Sequence, residues 1–205
     1  MNDIDPLRYE GMELLVQGKF VVAEKVLRKA LEFDPTNADL MCDIGLALQR
    51  QDKLKEAEGM YRSATKTDPS FFEAWYKLGV VLAKQEKYEE AIVAQKKAID
   101  IQPDNPISWQ DYAYCLWKID QISNAEKSFR KAIELNPEDP ISWYYLGDLF
   151  FEQGDFHEAE KALREAIKIS EDYPDIWHLL GKTLEKLGKD NAAKLAIKRA
   201  KDIEK

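Results

Sequence analysis

Sliding the chain against itself by 34 residues brings nearly every position onto its equivalent, and the register holds from one end to the other without an insertion. A period of this length constrains folding more than any composition does. Each unit is too short to bury a core by itself, so successive units must stack and bury one another's faces. Four columns carry the pattern. Leu7, Met41, Trp75, Trp109, Trp143 and Trp177 occupy the first, and Gly11, Gly45, Gly79, Ala113, Gly147 and Gly181 follow four residues later. Two more columns are alanine throughout: Ala23, Ala57, Ala91, Ala125, Ala159 and Ala193, then Ala30, Ala64, Ala98, Ala132, Ala166 and Ala200.

Trp75, Leu78, Gly79 and Leu82 illustrate the spacing that puts a stripe on one helical face, and predict a first helix, A, with that stripe in the core. Glycine inside an exposed helix costs about 1 kcal/mol against alanine. Its recurrence therefore predicts close approach by a second helix, B, whose two alanines supply the matching small surface. Pro35, Pro69, Pro103 and Pro137 end each B helix, because proline lacks an N–H and restricts the residue before it. Asn105-Pro106 and Asp139-Pro140 then restart an A helix with a capping side chain followed by proline in the first turn. At the fifth boundary Glu171 stands where proline is expected and Pro174 comes three residues later, predicting a turn of different shape. The repeats fall near 4–37, 38–71, 72–105, 106–139, 140–173 and 174–205, within one array over 1–205.

The large/Gly/Ala/Ala/Pro pattern, carried over essentially the full chain, resembles the tetratricopeptide repeat family. That resemblance implies an all-α, right-handed superhelical solenoid of antiparallel helix pairs, with helix A of each repeat lining the concave side. It also implies a role in protein–protein interaction, as a scaffold or adaptor binding a peptide or partner protein in the concave groove. A coiled coil is the competing architecture, and regular helix breakers at a 34-residue period count against it.

In this family a second stripe of helix A, offset by one residue from the core stripe, faces the groove. Here the resemblance marks Tyr76 and Val80, then Gln110, Tyr114 and Trp117, then Tyr144, Asp148 and Phe151 as candidate partner-binding residues, with Ile107 and Ile141 extending the floor at their helix starts. Trp117 leads, because the other four tryptophans occupy the repeat's structural column. Tyrosine and tryptophan combine large rigid contact area with a polar handle, the composition of binding hot spots. The alternative is that these aromatics simply pack between adjacent A helices. Two known ligand modes of the family are missing. The lysine–asparagine pair that clamps chaperone C-terminal carboxylates is replaced by Arg8 and Met12, Cys42 and Leu46, Tyr76 and Val80, and the asparagine ladder by Tyr9, Asp43, Lys77, Asp111, Tyr145 and Leu179. The chain is not expected to be a carboxylate-clamp chaperone adaptor.

The ends differ from the middle. Val16, Val21 and Val22 replace residues that are polar or charged in nearly every other repeat, such as Lys84, Lys118, Glu89 and Glu90. They are candidates for weak self-association into a homo-oligomer, unless the residues before Pro6 cover them or they are scattered exposed valines. Lys194, Lys198, Lys201 and Lys205 give the last B helix a polar outer face, as a solenoid end requires.

A net charge of −8 argues against nonspecific nucleic-acid binding, which needs clustered Lys and Arg. No stretch is long and apolar enough to span a bilayer, and the opening Met1–Pro6 has no basic segment leading an apolar one. A cytoplasmic protein without a membrane partner is expected. Cys42 and Cys115 are far apart and non-equivalent, which supports neither a disulfide framework nor a zinc site. With two histidines, no nucleophile–base pairing and no glycine-rich phosphate loop, no enzyme activity, catalytic residue, metal or cofactor is expected. Besides the adaptor and the self-assembling scaffold, a regulatory subunit of an enzyme complex remains open.

Overall fold

The computed structural model describes residues 4–204, with side chains from Pro6 onward. Among the described residues there are twelve helices and no strand. The chain divides into two compact units, Met1–Pro103 and Asp104–Lys205. In the first, A helices α1 (Ile4–Val16), α3 (Ala38–Arg50) and α5 (Phe72–Lys84) alternate with B helices α2 (Phe20–Phe33), α4 (Leu54–Thr67) and α6 (Tyr88–Ile101). In the second, A helices α7 (Pro106–Lys118), α9 (Pro140–Gln153) and α11 (Pro174–Lys186) alternate with B helices α8 (Ile122–Leu135), α10 (Phe156–Ile169) and α12 (Asp190–Ile203). Within each unit a B helix packs on its own A helix and on the A helix that follows.

The glycine column does allow the two helices of a pair to approach, but not by meeting the alanines. A Cβ built on Gly45 would stand 2.6 Å from the Tyr61 ring, and one on Gly181 would stand 2.6 Å from Ile197 Cγ1. Gly79 lies under Gln95 and Gly147 under Leu163 in the same way. The glycine thus receives the large residue that B carries between its two alanines. The alanines, all fully buried, keep the backbone around that residue close; Ala159 O lies 3.5 Å from the Cβ position of Gly147. Gln95 is the polar member of this otherwise apolar or aromatic set, and its Oε1 is buried without a hydrogen-bond partner among the described residues.

The first column also has a second duty. Trp75, Trp143 and Trp177 are only half-buried. Their indole N–H groups donate to the carbonyls of Pro69, Pro137 and Glu171 at 3.0, 3.1 and 2.9 Å, so each pins the turn leading into its own helix. The restart signals act as read: Asn105 Oδ1 accepts from Ser108 N at 3.0 Å and Asp139 Oδ2 from Ser142 N at 2.9 Å. At the fifth boundary Ser170 is extended (φ −150°, ψ 127°). The side-chain turn bond from Glu138 N to Asn136 Oδ1 is kept there as Asp172 N donating to Ser170 Oγ, whereas the backbone bond from Asp139 N to Asn136 O has no counterpart among the described residues. The tryptophan still finds its carbonyl although proline is missing.

Carboxylates brace consecutive pairs. Glu58 on α4 accepts from Arg62 Nε at 2.9 Å, from Gln85 Nε2 at 2.9 Å and from Lys87 Nζ at 2.7 Å, tying α4 to the α5–α6 turn. Glu24 repeats this with Arg28, Gln51 and Lys53, and Glu160 does so in the second unit with Arg164 and Lys189. Burial alone would raise the Glu58 carboxyl, but hydrogen bonds from Lys87, Arg62 and Gln85 outweigh it and hold the group at about 2, against an ordinary 4.5. A carboxyl whose folded value is depressed stabilises the fold fully above its unfolded value, and that contribution is lost as pH falls toward the folded one. Glu58→Gln is therefore expected to lower the thermal midpoint at neutral pH and to flatten the loss of stability between pH 4.5 and about 2, as read by circular-dichroism melts across that window.

Candidate protein-binding site

In the first unit Tyr76 and Val80 are half-buried on α5. The Tyr76 ring stacks on Phe72 with centroids 5.8 Å apart, and Lys77 Nζ lies 5.7 Å from its centroid. Beside them Arg8 donates to Asp39 and Asp43, both at 2.9 Å, joining α1 to α3. Burial raises the Asp43 carboxyl and the Arg8 pairing opposes that rise. These groups, with Cys42, Leu46, Phe71, Glu73 and Lys77, line a concavity of ≈ 290 Å³. Both cysteine thiols are pushed up to about 12, Cys42 by burial and then Asp43, and Cys115 by burial and then Asp111. Neither is a thiolate near neutral pH, so neither is an activated nucleophile.

The second unit gathers most of the residues marked in the sequence. Ile107, Gln110 and Ile141 line one concavity of ≈ 270 Å³ together with Pro106, Asn136 and Asp139. Gln110 Oε1 accepts from Ser142 Oγ at 2.9 Å, which holds the α7 and α9 starts together. Further along, Tyr114 meets Trp117 edge-on at 6.3 Å and Tyr145 at 5.8 Å, while Tyr144 meets Tyr145 at 5.5 Å. Tyr114, Tyr144 and Phe151 are half-buried, and Phe151 rests edge-on against Phe156 at 5.5 Å.

Trp117 is placed otherwise than as a leading anchor at the surface. It is 8% exposed. Its ring meets Phe129 of α8 at 6.4 Å, and its Nε1 donates to Glu152 of α9 at 3.0 Å. Phe129 is itself fully buried and stacks on Tyr145 at 5.8 Å. Trp117, Phe129 and Tyr145 therefore form the packing between α7, α8 and α9 on which the outer rings sit. Phe129 and Tyr145 went unmarked in the sequence. Phe129 had a signal, its place in the column that fills the glycine gap; Tyr145 lies one residue from the groove stripe and had none.

Charge is arranged around these rings. Lys118 Nζ stands 5.2 Å from the Tyr114 centroid and 5.3 Å from that of Trp117, an attractive cation–π geometry. Asp148 is half-buried. Burial raises its carboxyl and Glu152 adds to the rise, while Lys118 and Lys182 oppose it. The Tyr144 hydroxyl is pushed up to about 12 by burial and by Asp148 and Asp175, so it stays a neutral donor. His178 Nε2 lies 3.1 Å from Glu204 Oε1, and His157 is exposed. Among the described residues no group of three or more His, Cys, Asp or Glu is placed to hold a metal, and no helix is long and apolar enough to cross a membrane.

At the other candidate surface, Val16, Val21 and Val22 are 88%, 53% and 48% exposed. Val16 joins Met12, Leu15, Phe20, Leu46 and Arg50 around a concavity of ≈ 380 Å³. Lys84, Lys118, Glu89 and Glu90, their equivalents in later pairs, are exposed too. These columns thus face outward within a stack as well as at its end. Cover by the residues before Pro6 lies outside the described side chains.

Helix pairs stacked through an invariant small-to-large contact, with side chains of varied chemistry on the A helices, define a helical-repeat interaction scaffold. The chain belongs to the tetratricopeptide repeat family: models described as Tetratricopeptide repeat match residues 42–106, 107–139, 128–161 and 174–205, and one described as TPR repeat matches 147–188. Proteins of this family bind protein or peptide partners. No curated protein matches the sequence. Solved structures share the fold. PilF of Pseudomonas aeruginosa is 22% identical with a TM-score of 0.82, covering 94% of this chain and 88% of its own. MamA of Desulfovibrio magneticus RS-1 is 18% identical with a TM-score of 0.78, covering 82% and 96%. YrrB, described as a TPR protein with an unusual peptide-binding site, is 24% identical with a TM-score of 0.69, covering 86% and 91%.

Because Trp117 holds α7, α8 and α9 together, Trp117→Ala is expected to cost about 3–5 kcal/mol of stability, measured by chemical denaturation. A variant that melts like the wild type would contradict this placement.

Proposed function

We propose that the chain is an adaptor that holds a peptide or a segment of a partner protein on the A-helix face of its second unit, across Ile107, Ile141, Tyr114, Tyr144 and Phe151. The observation that carries this reading is the half-buried state of Tyr114, Tyr144 and Phe151 above a packed floor of Trp117, Phe129 and Tyr145. Rings already held by their neighbours lose little conformational freedom when a ligand covers them, so more of the contact energy is kept as affinity. Gln110 adds to this preorganisation through Ser142. Tyr76 and Val80 offer a smaller surface of the same kind in the first unit. Carboxylate-terminated ligands are disfavoured there, since Arg8 is already occupied by Asp39 and Asp43.

The test uses an array of random dodecapeptides probed with the full chain. Ile107→Asp combined with Ile141→Asp alters the rim at two helix starts, where acidic residues are tolerated; Tyr144→Ala alters the ring wall. Each variant is expected to keep a cooperative melt and to lose peptide binding by about tenfold or more. Unchanged peptide profiles in both variants would remove the A-helix face of this unit as the site.

A second reading rests on the exposure of Val16, Val21 and Val22 beside their apolar concavity, and takes a second copy of the chain as its occupant. Light scattering is expected to show mass rising with concentration, and Val16→Lys with Val21→Glu and Val22→Glu, the residue types of the third pair, is expected to abolish the rise. A wild-type chain that stays monomeric at every concentration rules the reading out.

A further inference from the structure

Several of the partly buried carboxylates find a partner within the fold. Glu24, Asp43, Glu58, Glu126 and Glu160 each accept from an arginine or lysine, and Asp139 caps α9. Among the described residues Asp148 accepts no hydrogen bond and enters no ion pair. Taking a carboxylate out of water without a partner is costly, so an unpaired one held against aromatic rings calls for an explanation.

Its setting supplies one. Asp148 lies in the middle of α9, in the column that holds Tyr114 on α7 and Lys182 on α11. On its own helix Tyr144 precedes it by one turn and Phe151 follows by one turn, so the carboxylate sits between two rings of the same face. Lys118 and Lys182 act on its charge from a distance, and among the described residues neither pairs with it. Lys118 stands over Tyr114 and Trp117. Glu152, which accepts from the Trp117 indole, adds a second negative charge close by. The three A helices of this unit carry five Asp or Glu against three Lys, so together they are net negative.

We propose that the partner segment bound on this face presents a lysine or arginine side chain whose cationic head pairs with Asp148 while its stem lies along Tyr144 and Phe151. The proposal rests on the peptide-binding reading above and narrows it to a basic, apolar-flanked ligand. Charge complementarity selects the head group and the two rings select the stem, since long cationic side chains bury their methylenes on apolar surface. An unpaired carboxylate that weakens the free protein becomes favourable once a cation arrives, which places the affinity in the charged contact.

The same peptide array tests it, probed with the full chain as wild type, Asp148→Asn and Asp148→Lys. Wild-type binders are expected to be enriched in Lys or Arg at one position beside apolar residues. Asp148→Asn is expected to weaken them about tenfold with an unchanged or higher thermal midpoint, and Asp148→Lys to shift selection toward Glu or Asp. Peptides that depend on Tyr144 yet bind Asp148→Asn as they bind wild type would overturn the cation inference and leave the binding surface standing. Peptides indifferent to every variant would overturn both. A lower melting temperature for Asp148→Asn would show that the carboxylate already has a partner in the free protein, which also refutes the proposal. Self-association lost in Asp148→Asn, read by light scattering, would replace the partner segment by a second copy and refute it as well.

Discussion

The contact between a glycine on helix A and a large side chain on helix B is the constraint on which the rest of each unit depends. With Gly45 under Tyr61 and Gly147 under Leu163, the helices of a pair approach until a Cβ would collide. That distance then decides what the B residue can reach across the A helix. Tyr61 passes over Gly45 and donates its hydroxyl to Gln49 Oε1 at 3.0 Å. Phe129, opposite Ala113 in the fourth pair, touches Trp117 of its own A helix and Tyr145 of the next. The large residue at this column therefore closes its pair, and in the fourth pair it also joins that pair to the next, which is how a short unit acquires a continuous core.

Around this apolar seam the fold distributes polar groups by a simple rule. A tryptophan at the rim donates to a turn carbonyl, and a glutamate on helix B collects donors from the following A–B turn. The tryptophan acts within six residues of its own helix, whereas the glutamate reaches a segment nearly one repeat away. The left-handed residue in each A–B turn belongs to the same economy of shape. Gly18, Gly154 and Gly188 take it without strain, whereas Asp52, Glu86 and Asp120 hold positive φ near 60° at a cost of about 1 kcal/mol, tolerated because the surrounding capping bonds fix the turn.

The face of the second unit departs from that rule. Its outer rings stop short of full burial, and among the described residues its Asp148 lacks the donors that Glu24, Glu58 and Glu160 receive. Departures from local satisfaction concentrate where a protein meets something else, because a group optimised for a partner is left wanting without it. Here Tyr144, Asp148 and Phe151 fall on neighbouring turns of α9.

Helix positions, pair order and the cap residues were legible in the sequence because they depend on interactions within a few residues. Spacing along a helix, a proline's missing N–H and an asparagine's reach to the N3 amide are all local, and repeating them at a period of 34 residues makes them unmistakable. The columns of Val16, Val21 and Val22 are polar or charged in nearly every other pair, but the exposure of the valines themselves was left open by the sequence and is decided by the structure. Which aromatic is floor and which is wall was not legible either. Trp117 looked like the free anchor because its column says nothing about Glu152, its hydrogen-bond partner in the next pair, or Phe129, the ring it packs against on α8. The same holds for the alanines, whose role beside the large B residue needed the helix–helix distance, and for Asp148, whose lack of a partner is a property of three helices together. The sequence by itself determined the repeat, the helix pairs and their limits; only the tertiary structure decided burial and pairing, since both depend on neighbours brought together by packing rather than by order along the chain.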